Sequence, residues 1–348
     1  MFKFIILLGL FVLLAPTHLR AQDNKPKLSG YVQGLYQLNA SEDFVVTDNT
    51  FKMQRVRTSL TGNIGNHVSY KIQGDWSKSP MLMDAYVKFK ACEGFAIQIG
   101  QFKTPFTIES PFNPLDLEMF DYGECVRKLG GYDDVCGVGK SGRDIGIMAS
   151  GDLFPIKDNS FSLLNYSIGV FNGNGMNSLD NNNEKDIVGR LEIHPMLKDI
   201  TLTGSIYHGT YFKDTDFNGL RSRQSFGAQY KDGRLLIRSE YVRGETGYHE
   251  AVVGNDGSIN TEDKTFFSTG YYVVAGYWFH FGKEELRRLM PILRYETFTN
   301  DGKESNYYTL GLNYWPMERI NCKIDYSYIQ SLDGSKHHRL VANLSFRF

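Results

Sequence analysis

The amino-acid sequence predicts an all-β protein, a transmembrane antiparallel β-barrel of about sixteen strands, and three observations support this prediction. Amphipathic segments of about ten residues recur along the chain, with apolar and polar side chains at alternate positions. Short and long gaps separate these segments in alternation. The last segment reaches the final residue, Phe348, which a closed barrel explains because its last strand must pair with its first.

The first element, residues 1–21, is predicted to be a signal peptide. Lys3 supplies a positive charge, and residues 4–14 form an apolar run. This run is too short for a membrane-spanning helix, which needs ~20 residues. Cleavage after Ala21 is expected, so we predict an exported protein whose single barrel domain covers residues 22–348.

Sixteen segments of the mature chain show the strand pattern. In the third segment, Val68 and Ile72 share one face while Lys71 lies on the other. In the fifteenth, Ile324 and Lys323 are separated in the same way. The predicted strands, in chain order, are 28–39, 50–64, 67–78, 82–91, 94–103, 142–152, 161–171, 186–195, 200–211, 221–231, 234–243, 267–280, 288–299, 305–316, 319–330 and 337–348.

The connections between these strands predict a barrel with two different ends. Most even-numbered gaps are tight turns such as GN, CEG, DG and PME. The long gaps are odd-numbered and comprise residues 40–49, 104–141, 172–185 and 244–266. Short periplasmic turns and long external loops are typical of outer-membrane barrels. A secreted soluble β-sandwich also has alternating strands, but it does not explain this asymmetry.

The composition favours β-structure and indicates no nucleic-acid partner. The chain has 21 Tyr, 24 Phe and 35 Gly, a combination that suits strands and many turns. The formal net charge is −1, so the chain lacks the basic excess of a nucleic-acid-binding protein. No zinc or EF-hand spacing is present, and we predict neither a metal nor a cofactor.

Several stretches resemble the phosphate-selective porin O and P family, in order along nearly the whole mature chain. The stretches include FKMQRVRTSLTGNI, MDAYVKF, IQIGQFKTPFTIES, SGRDIGIMASG, IRSEYVRGE and PILRYETF. The resemblance implies a sixteen-stranded, trimeric porin in the outer membrane of a Gram-negative bacterium. It also implies that the third external loop, residues 104–141 by our count, folds into the lumen. The terminal Phe resembles the strand signal that the outer-membrane assembly machinery reads.

The polar faces of the predicted strands supply candidates for the lining of the pore. Lys103 and Glu109 are added because they fit the family's junction between the fifth strand and the third loop. The full set of candidates is Arg55, Arg57, Lys71, Asp75, Asp84, Lys88, Lys90, Lys103, Glu109, Arg190, Glu192, Arg238, Glu240, Arg294 and Glu296.

Two interpretations of the arginines remain open at this stage. Arg55 and Arg57 are expected to share one face with Phe51, where their donors would pass an anion along the pore. Alternatively, they pair with Asp75 or Asp84 on neighbouring strands and stiffen the wall. Pairing is also expected for the other arginines, because each has a glutamate two residues further on, as listed above for Arg190, Arg238 and Arg294.

The third loop carries two further features. Besides Glu109, six acidic residues of the loop outnumber its three basic ones, so a loop that lines the pore is expected to oppose anions. The acidic residues are Asp116, Glu118, Asp121, Glu124, Asp133 and Asp134, and the basic ones are Arg127, Lys128 and Lys140. Cys125 and Cys136 form a candidate disulfide, since exported proteins can hold oxidised cysteines.

Three functions from different classes are compatible with this reading. We expect a diffusion porin for small hydrophilic solutes or ions, including anions such as phosphate, in contact with the lipid bilayer. A structural or adhesive barrel with a plugged lumen is the alternative. An outer-membrane hydrolase is disfavoured, because the chain has no G-x-S-x-G motif and no recognisable nucleophile beside a histidine, so no enzyme is predicted.

Overall fold

The computed structural model contains seventeen strand segments and one short helix within the residues that it describes. The predicted signal peptide and its cleavage site lie outside those residues. The described ranges are 25–139, 141–156, 161–195, 197–212, 218–253, 259–282 and 287–348.

The strands run antiparallel to their neighbours in one sheet. The last strand segment before β14, Phe279–Phe281, continues the preceding strand Ile259–Tyr277 beyond a break at Trp278, because both pair with Arg287–Asn300. The barrel therefore has sixteen strands. The strands are β1 Lys27–Ser41, β2 Val46–Ile64, β3 Val68–Asp75, β4 Leu82–Cys92, β5 Phe95–Lys103, β6 Arg143–Ile156, β7 Phe161–Phe171, β8 Asp186–Ile193, β9 Ile200–Phe212, β10 Asn218–Lys231, β11 Leu235–Val253, β12 Ile259–Tyr277, β13 Phe279–Phe281, β14 Arg287–Asn300, β15 Lys303–Met317, β16 Ile320–Gln330 and β17 Lys336–Arg347. The helix is α1 Glu124–Leu129.

The chain termini close the sheet into a barrel. β1 pairs with β17, and Tyr31 lies opposite Arg347 in this register. The backbone N–H of Gly30 donates to the carbonyl of Phe348 at 3.1 Å, and the N–H of Phe348 donates back at 3.0 Å. Among the described residues, each of the sixteen barrel strands, with β12 and β13 taken as one, pairs with a strand on either side, so the sheet is closed. The predicted antiparallel barrel is confirmed, and each predicted strand overlaps an observed one.

Two of the predicted long loops are mostly strand. Residues 40–49 narrow to the short connection between Ser41 and Val46, and most of residues 244–266 belong to β11 and β12. There the backbone pairing continues, for example between Tyr248 and Lys264. The strand pattern is lost in this part of the sequence, since neither face must meet lipid where a hairpin extends beyond the bilayer.

A β-bulge in β2 corrects the predicted position of Phe51. The register shifts so that Gln33 faces Arg55 whereas Gly34 faces Met53, which leaves one extra residue in β2. Phe51 therefore lies on the outer face, 82% exposed, with its ring 4.9 Å from that of Tyr36. The expectation that Phe51 shares a face with Arg55 was wrong, because a bulge reverses the alternation of side chains beyond it.

The distribution of side chains is the reverse of that in a soluble protein. Arg223 and Arg238 are among the most completely buried large side chains, whereas Leu310 is 64% and Phe226 is 61% exposed. An apolar outer surface around a polar interior is the arrangement that a barrel in lipid requires. Among the described residues, no helix is both long and apolar enough to cross a bilayer.

The segment between β5 and β6, residues 104–142, is called the inner loop here. Its backbone N–H groups reach carboxylates on distant strands: Ile108 donates to Glu240 at 2.8 Å, and Phe120 donates to Asp325 at 2.7 Å. Both carboxylates are buried and project from the polar faces of β11 and β16. Because the polar faces of the strands point inward, these contacts position the inner loop inside the barrel.

Candidate functional site

The inner loop is bound to one side of the barrel by ion pairs. The guanidinium of Arg238 lies 3.2 Å from Glu109 and 3.0 Å from Glu118. Lys231 adds a second cation 2.9 Å from Glu118. Burial would raise the pKa of Glu118, but Arg238 and Lys231 outweigh this effect and lower it. These contacts bind the first part of the inner loop, which contains Glu109 and Glu118, to β10 and β11.

The returning part of the inner loop is held at Asp134. Its two carboxylate oxygens lie 3.0 Å from Arg221 and 3.1 Å from Arg223, and all three side chains are buried. Burial would raise the pKa of Asp134, yet the two guanidinium groups lower it to about 2. Sequence reasoning missed these arginines, although their alternate positions in the stretch LRSRQSF place them on one face of β10.

Most of the loop's acidic groups are therefore neutralised by the wall. Besides Glu118 and Asp134, Asp121 lies 3.1 Å from Arg339, and Asp116 lies 2.6 Å from Arg347. We expected the acidic loop to oppose anions because the sequence does not show which cations pair with its carboxylates. A carboxylate held by a guanidinium contributes little net field to the open part of the lumen.

On the opposite side of the inner loop, a cavity of about 150 Å³ lies against β2 and β6. We call it the basic cavity. Its lining has five cationic and two anionic side chains, so the balance is positive. The lining residues are Arg55, Arg57, Lys78, Arg127, Arg143, Asp121, Asp133, Pro114, Tyr122, Tyr132 and Ser141.

Two arginines of this wall are paired. Arg57 lies 2.8 Å from Asp75 on the neighbouring strand. Arg143, at the start of β6, lies 2.6 Å from Asp84, and Lys71 lies 2.8 Å from the same carboxylate. The pairing interpretation thus describes Arg57. Arg143 was not among the predicted residues, because its partner is two strands away and no local pattern identifies it.

Arg55 differs from its neighbour. Its Nη1 donates to the Gln33 side-chain oxygen at 2.6 Å, and its guanidinium lies 6.0 Å from the ring centre of Phe120. Arg55 is only 7% exposed, yet its Nε has no hydrogen-bond partner. Within the described part of the chain, no carboxylate forms an ion pair with it. A buried guanidinium with an unused donor is the feature of this site that most clearly calls for an anion.

The other predicted arginines lie beneath the inner loop. Arg190 pairs with Glu192, and Arg294 lies 2.6 Å from Glu296, as the alternative interpretation expected. Arg238 instead pairs with the loop residues Glu109 and Glu118. Its neighbour Glu240 accepts hydrogen bonds from the loop backbone and from the Ser225 hydroxyl. These side chains hold the loop against the wall and are covered by it.

The four predicted lysines lie in four different environments. Lys103 donates to the carbonyls of Ser110 and Phe112 at 2.7 and 2.5 Å, which fixes the start of the inner loop. Lys71 lines a second cavity of about 610 Å³, near the N-terminal end of β1. Lys88 is half-buried on β4. Lys90 is exposed and lies 2.7 Å from Glu93.

The candidate disulfide is not formed. Cys125 is buried on α1, in an apolar cluster with Val126 and Tyr272, and both it and Cys136 are free thiols. Cys136 lies in the turn that follows Asp134. Burial raises the pKa of the Cys125 thiol well above its ordinary value and that of Cys136 to about 12. The prediction failed because sequence spacing carries no information about the direction in which a helical side chain points.

The described residues contain no cluster of three or more His, Cys, Asp or Glu side chains that would suit a metal ion.

Comparisons with known proteins agree with this architecture. A family model described as phosphate-selective porin O and P matches residues 27–345. No curated protein matches the sequence. The fold is similar to that of an anion-selective porin from Comamonas acidovorans, with 10% identity, a TM-score of 0.68, and 94% of this chain and 100% of that chain covered.

Two further structures are similar to a comparable extent. One is the trimer form of OmpT, an outer membrane protein of Vibrio cholerae, with 12% identity, a TM-score of 0.64 and coverage of 94% and 100%. The other is Salmonella typhi OmpF in complex with daunomycin, with 14% identity, a TM-score of 0.59 and coverage of 93% and 98%. At these identities the similarity establishes the barrel fold alone.

Proposed function

Because the chain belongs to the phosphate-selective porin O and P family, we propose that it is a diffusion porin whose basic cavity favours anions. The family and the fold indicate an outer-membrane diffusion channel rather than an enzyme. The observation that carries the anion preference is Arg55, a buried cation without a carboxylate partner among the described residues. In a narrow aqueous path with low-dielectric walls, such a charge attracts counter-ions strongly.

The remaining charges of the open wall support the same direction of selectivity. Lys78 is exposed at the end of the cavity where β3 meets β4. Lys71 and Lys27 line the second cavity, towards the end of the barrel where the termini meet. We propose that anions pass between the inner loop and the wall formed by β1–β6, with Arg55 at the narrow part of this path.

The remaining partners are also proposals. We propose a homotrimer, because the similar OmpT structure is a trimer form and because the barrel exposes an apolar outer surface that suits a subunit interface as well as lipid. Export after cleavage at Ala21, and insertion by the assembly machinery through the C-terminal strand, are proposed from the sequence.

Ion selectivity is the direct test of the proposed function. The purified mature protein is inserted into a planar bilayer, and the reversal potential is measured under a gradient of KCl. We expect ohmic steps and a reversal potential with the sign of chloride preference. A potential with the sign of potassium preference would refute the proposal.

A second function is favoured by one observation, the dense attachment of the inner loop to β10, β11, β14, β16 and β17. A loop held this firmly would plug the lumen in a structural barrel. Folded protein that passes no current would support this alternative.

A further inference from the structure

We propose that the basic cavity selects small aromatic carboxylates, which it holds between the guanidinium groups of one wall and the tyrosine rings of the inner loop. This inference names a substrate class for the same site and rests on the proposed function. The loop side of the cavity supplies the aromatic contact, and the proposed anion preference does not depend on that side.

The cationic wall supplies the contact for a carboxylate. Arg57 and Arg143 already hold Asp75 and Asp84, so their charge is largely offset and they have fewer free donors. Arg55 lines the cavity, donates one hydrogen bond to Gln33, and has no acidic partner among the described residues. The planar guanidinium group matches a carboxylate through parallel hydrogen bonds. Arg55 is therefore the residue expected to bind the anionic end of the solute.

The facing wall is aromatic. Tyr122 and Tyr132 line the cavity, with ring centres 4.4 Å apart, and Pro114 lies beside them. Their hydroxyl groups are already used, since Tyr122 donates to the carbonyl of Phe112 at 3.1 Å and Tyr132 to that of Ser110 at 3.2 Å. The ring is therefore what a solute can contact, and an aromatic partner is favoured. Tyr132 is half-buried, whereas Tyr122 is 5% exposed and packs between Tyr132 and Lys103.

The acidic side chains of the same wall do not cancel the attraction. Asp121 lies 3.1 Å from Arg339. Asp133 lies 2.6 Å from Lys128 and 3.4 Å from Arg127. Both carboxylates thus have cationic partners on the inner loop or on β17, and Arg55 remains the arginine of the cavity without an ion pair among the described residues.

The dimensions fit one ring. The cavity holds about 150 Å³, and an apolar cavity of ~150 Å³ is known to accommodate benzene. Phosphate or chloride would use the cationic wall and leave the tyrosine rings without a partner. A benzoate ion would use both walls at once, so we expect it to bind more tightly than acetate, which carries the same charge without the ring.

The test measures block of the chloride current. Purified mature protein in planar bilayers receives benzoate, acetate, cyclohexanecarboxylate or inorganic phosphate on one side, and the concentration that halves the current is determined. We expect benzoate to act at a roughly tenfold lower concentration than acetate, the size of a good aromatic contact. Cyclohexanecarboxylate controls for the size of the ring. Equal block by benzoate and acetate would overturn the inference.

Variants separate this inference from the proposed function. Tyr122→Leu and Tyr132→Leu, singly and together, are expected to abolish the benzoate preference while the chloride preference in KCl persists. Tyr86→Leu, in the second cavity, is the matched control and should change neither. An unchanged benzoate preference in the tyrosine variants would overturn the aromatic site yet leave the anion porin intact. If the unaltered protein shows no chloride preference in KCl, the proposed function itself is refuted.

A second measurement covers variants that fold poorly or protein that passes no current. Benzoate binding to detergent-solubilised, heat-modifiable protein is followed by saturation-transfer NMR, with acetate as the competitor. Transfer to the benzoate ring protons is expected in the unaltered protein and in Tyr86→Leu. Its absence from folded, unaltered protein would overturn the inference.

Discussion

Asp134 of the inner loop accepts hydrogen bonds from both Arg221 and Arg223 of β10, at 3.0 and 3.1 Å, and all three side chains are buried. A single carboxylate thereby pairs with two guanidinium groups on the inner wall. Only residues 130–133 separate α1 from Asp134. The contact therefore holds the part of the inner loop that follows α1 against β10. The first two predictions follow from it.

Asp134→Asn is expected to release this part of the inner loop. The substitution leaves buried Arg223 without an ion-pair partner among the described residues, and it leaves Arg221 with Asp186 at 3.8 Å. The loss of one partner of a buried pair typically costs ~3–5 kcal/mol. We expect a lower temperature of heat modification on gels and a noisier single-channel current. Asp133→Asn, in an exposed pair with Lys128, is the control and should cost less than ~1 kcal/mol. Equal behaviour of the two variants would contradict the anchoring role of Asp134.

Acid should release the inner loop only at low pH. The pKa of Asp134 is lowered from 3.8 to about 2, so its stabilisation is fully present above its unfolded value and is lost as the pH falls through the folded one. Current noise from this contact should therefore stay constant from pH 7 to about pH 4 and rise toward pH 2. The Asp134→Asn variant should be noisy throughout and lack this transition. A transition in the unaltered protein that the variant retains would assign it to another group.

Arg55→Gln is expected to weaken the anion preference without destabilising the barrel. The arginine has no acidic partner among the described residues, so its replacement leaves no buried carboxylate without an ion pair. A unit charge acting through water at about 4 Å contributes ~1 kcal/mol, which corresponds to a factor of about five in the permeability ratio. The measurement is the reversal potential in a KCl gradient. Lys90→Gln, which removes a charge paired with Glu93 outside the basic cavity, should leave that potential unchanged.

Arg57→Gln should have the opposite profile. It leaves Asp75, which is fully buried, without its cation, and this costs ~3–5 kcal/mol. We expect a reduced yield of folded barrel, and we expect the double variant Arg57→Gln with Asp75→Asn to recover much of it. Recovery is measured as the heat-modifiable fraction after refolding in detergent. A double variant no more stable than the single one would mean that the ion pair is not what Arg57 supplies.

Replacing residues 106–139 with a short Gly-Ser linker tests whether the inner loop narrows the path. The loop occupies the lumen beside the basic cavity, so its removal should raise the single-channel conductance several-fold and abolish the benzoate preference. Tyr122→Leu with Tyr132→Leu, which keeps the loop in place, should abolish the preference with little change in conductance. An unchanged conductance after the replacement would show that the loop does not obstruct the path.

Much of the barrel could be predicted from the sequence. The segment that contains Val68, Lys71 and Ile72 was predicted as a strand from its alternating side chains. One face of a barrel strand meets lipid and the other meets water, so each strand shows a two-residue period in its own sequence. The alternation in the last segment likewise predicted a strand, and Phe348 beside it forms two backbone hydrogen bonds with Gly30. The extended hairpin of β11 and β12 was missed, because strands that leave the membrane no longer need an apolar face.

The site was less accessible to the same reasoning. Arg55 and Arg57 look alike in the sequence, but only Arg57 lies opposite a carboxylate, Asp75, in the register of β2 and β3. The face on which Phe51 lies depends on a β-bulge, and no residue pattern in the sequence predicts this bulge. Arg143 and Arg221 were not predicted at all, because each meets its carboxylate across the lumen or across two strands.

The sequence by itself determined which segments are strands, how many there are, and that the first and last meet, because alternation and gap length are local properties of the chain. The tertiary structure decided which charges are neutralised and which remain available. Ion pairs such as Asp134 with Arg221 join residues far apart in sequence. Their geometry depends on strand register and on the path of the inner loop, which only the closed barrel fixes.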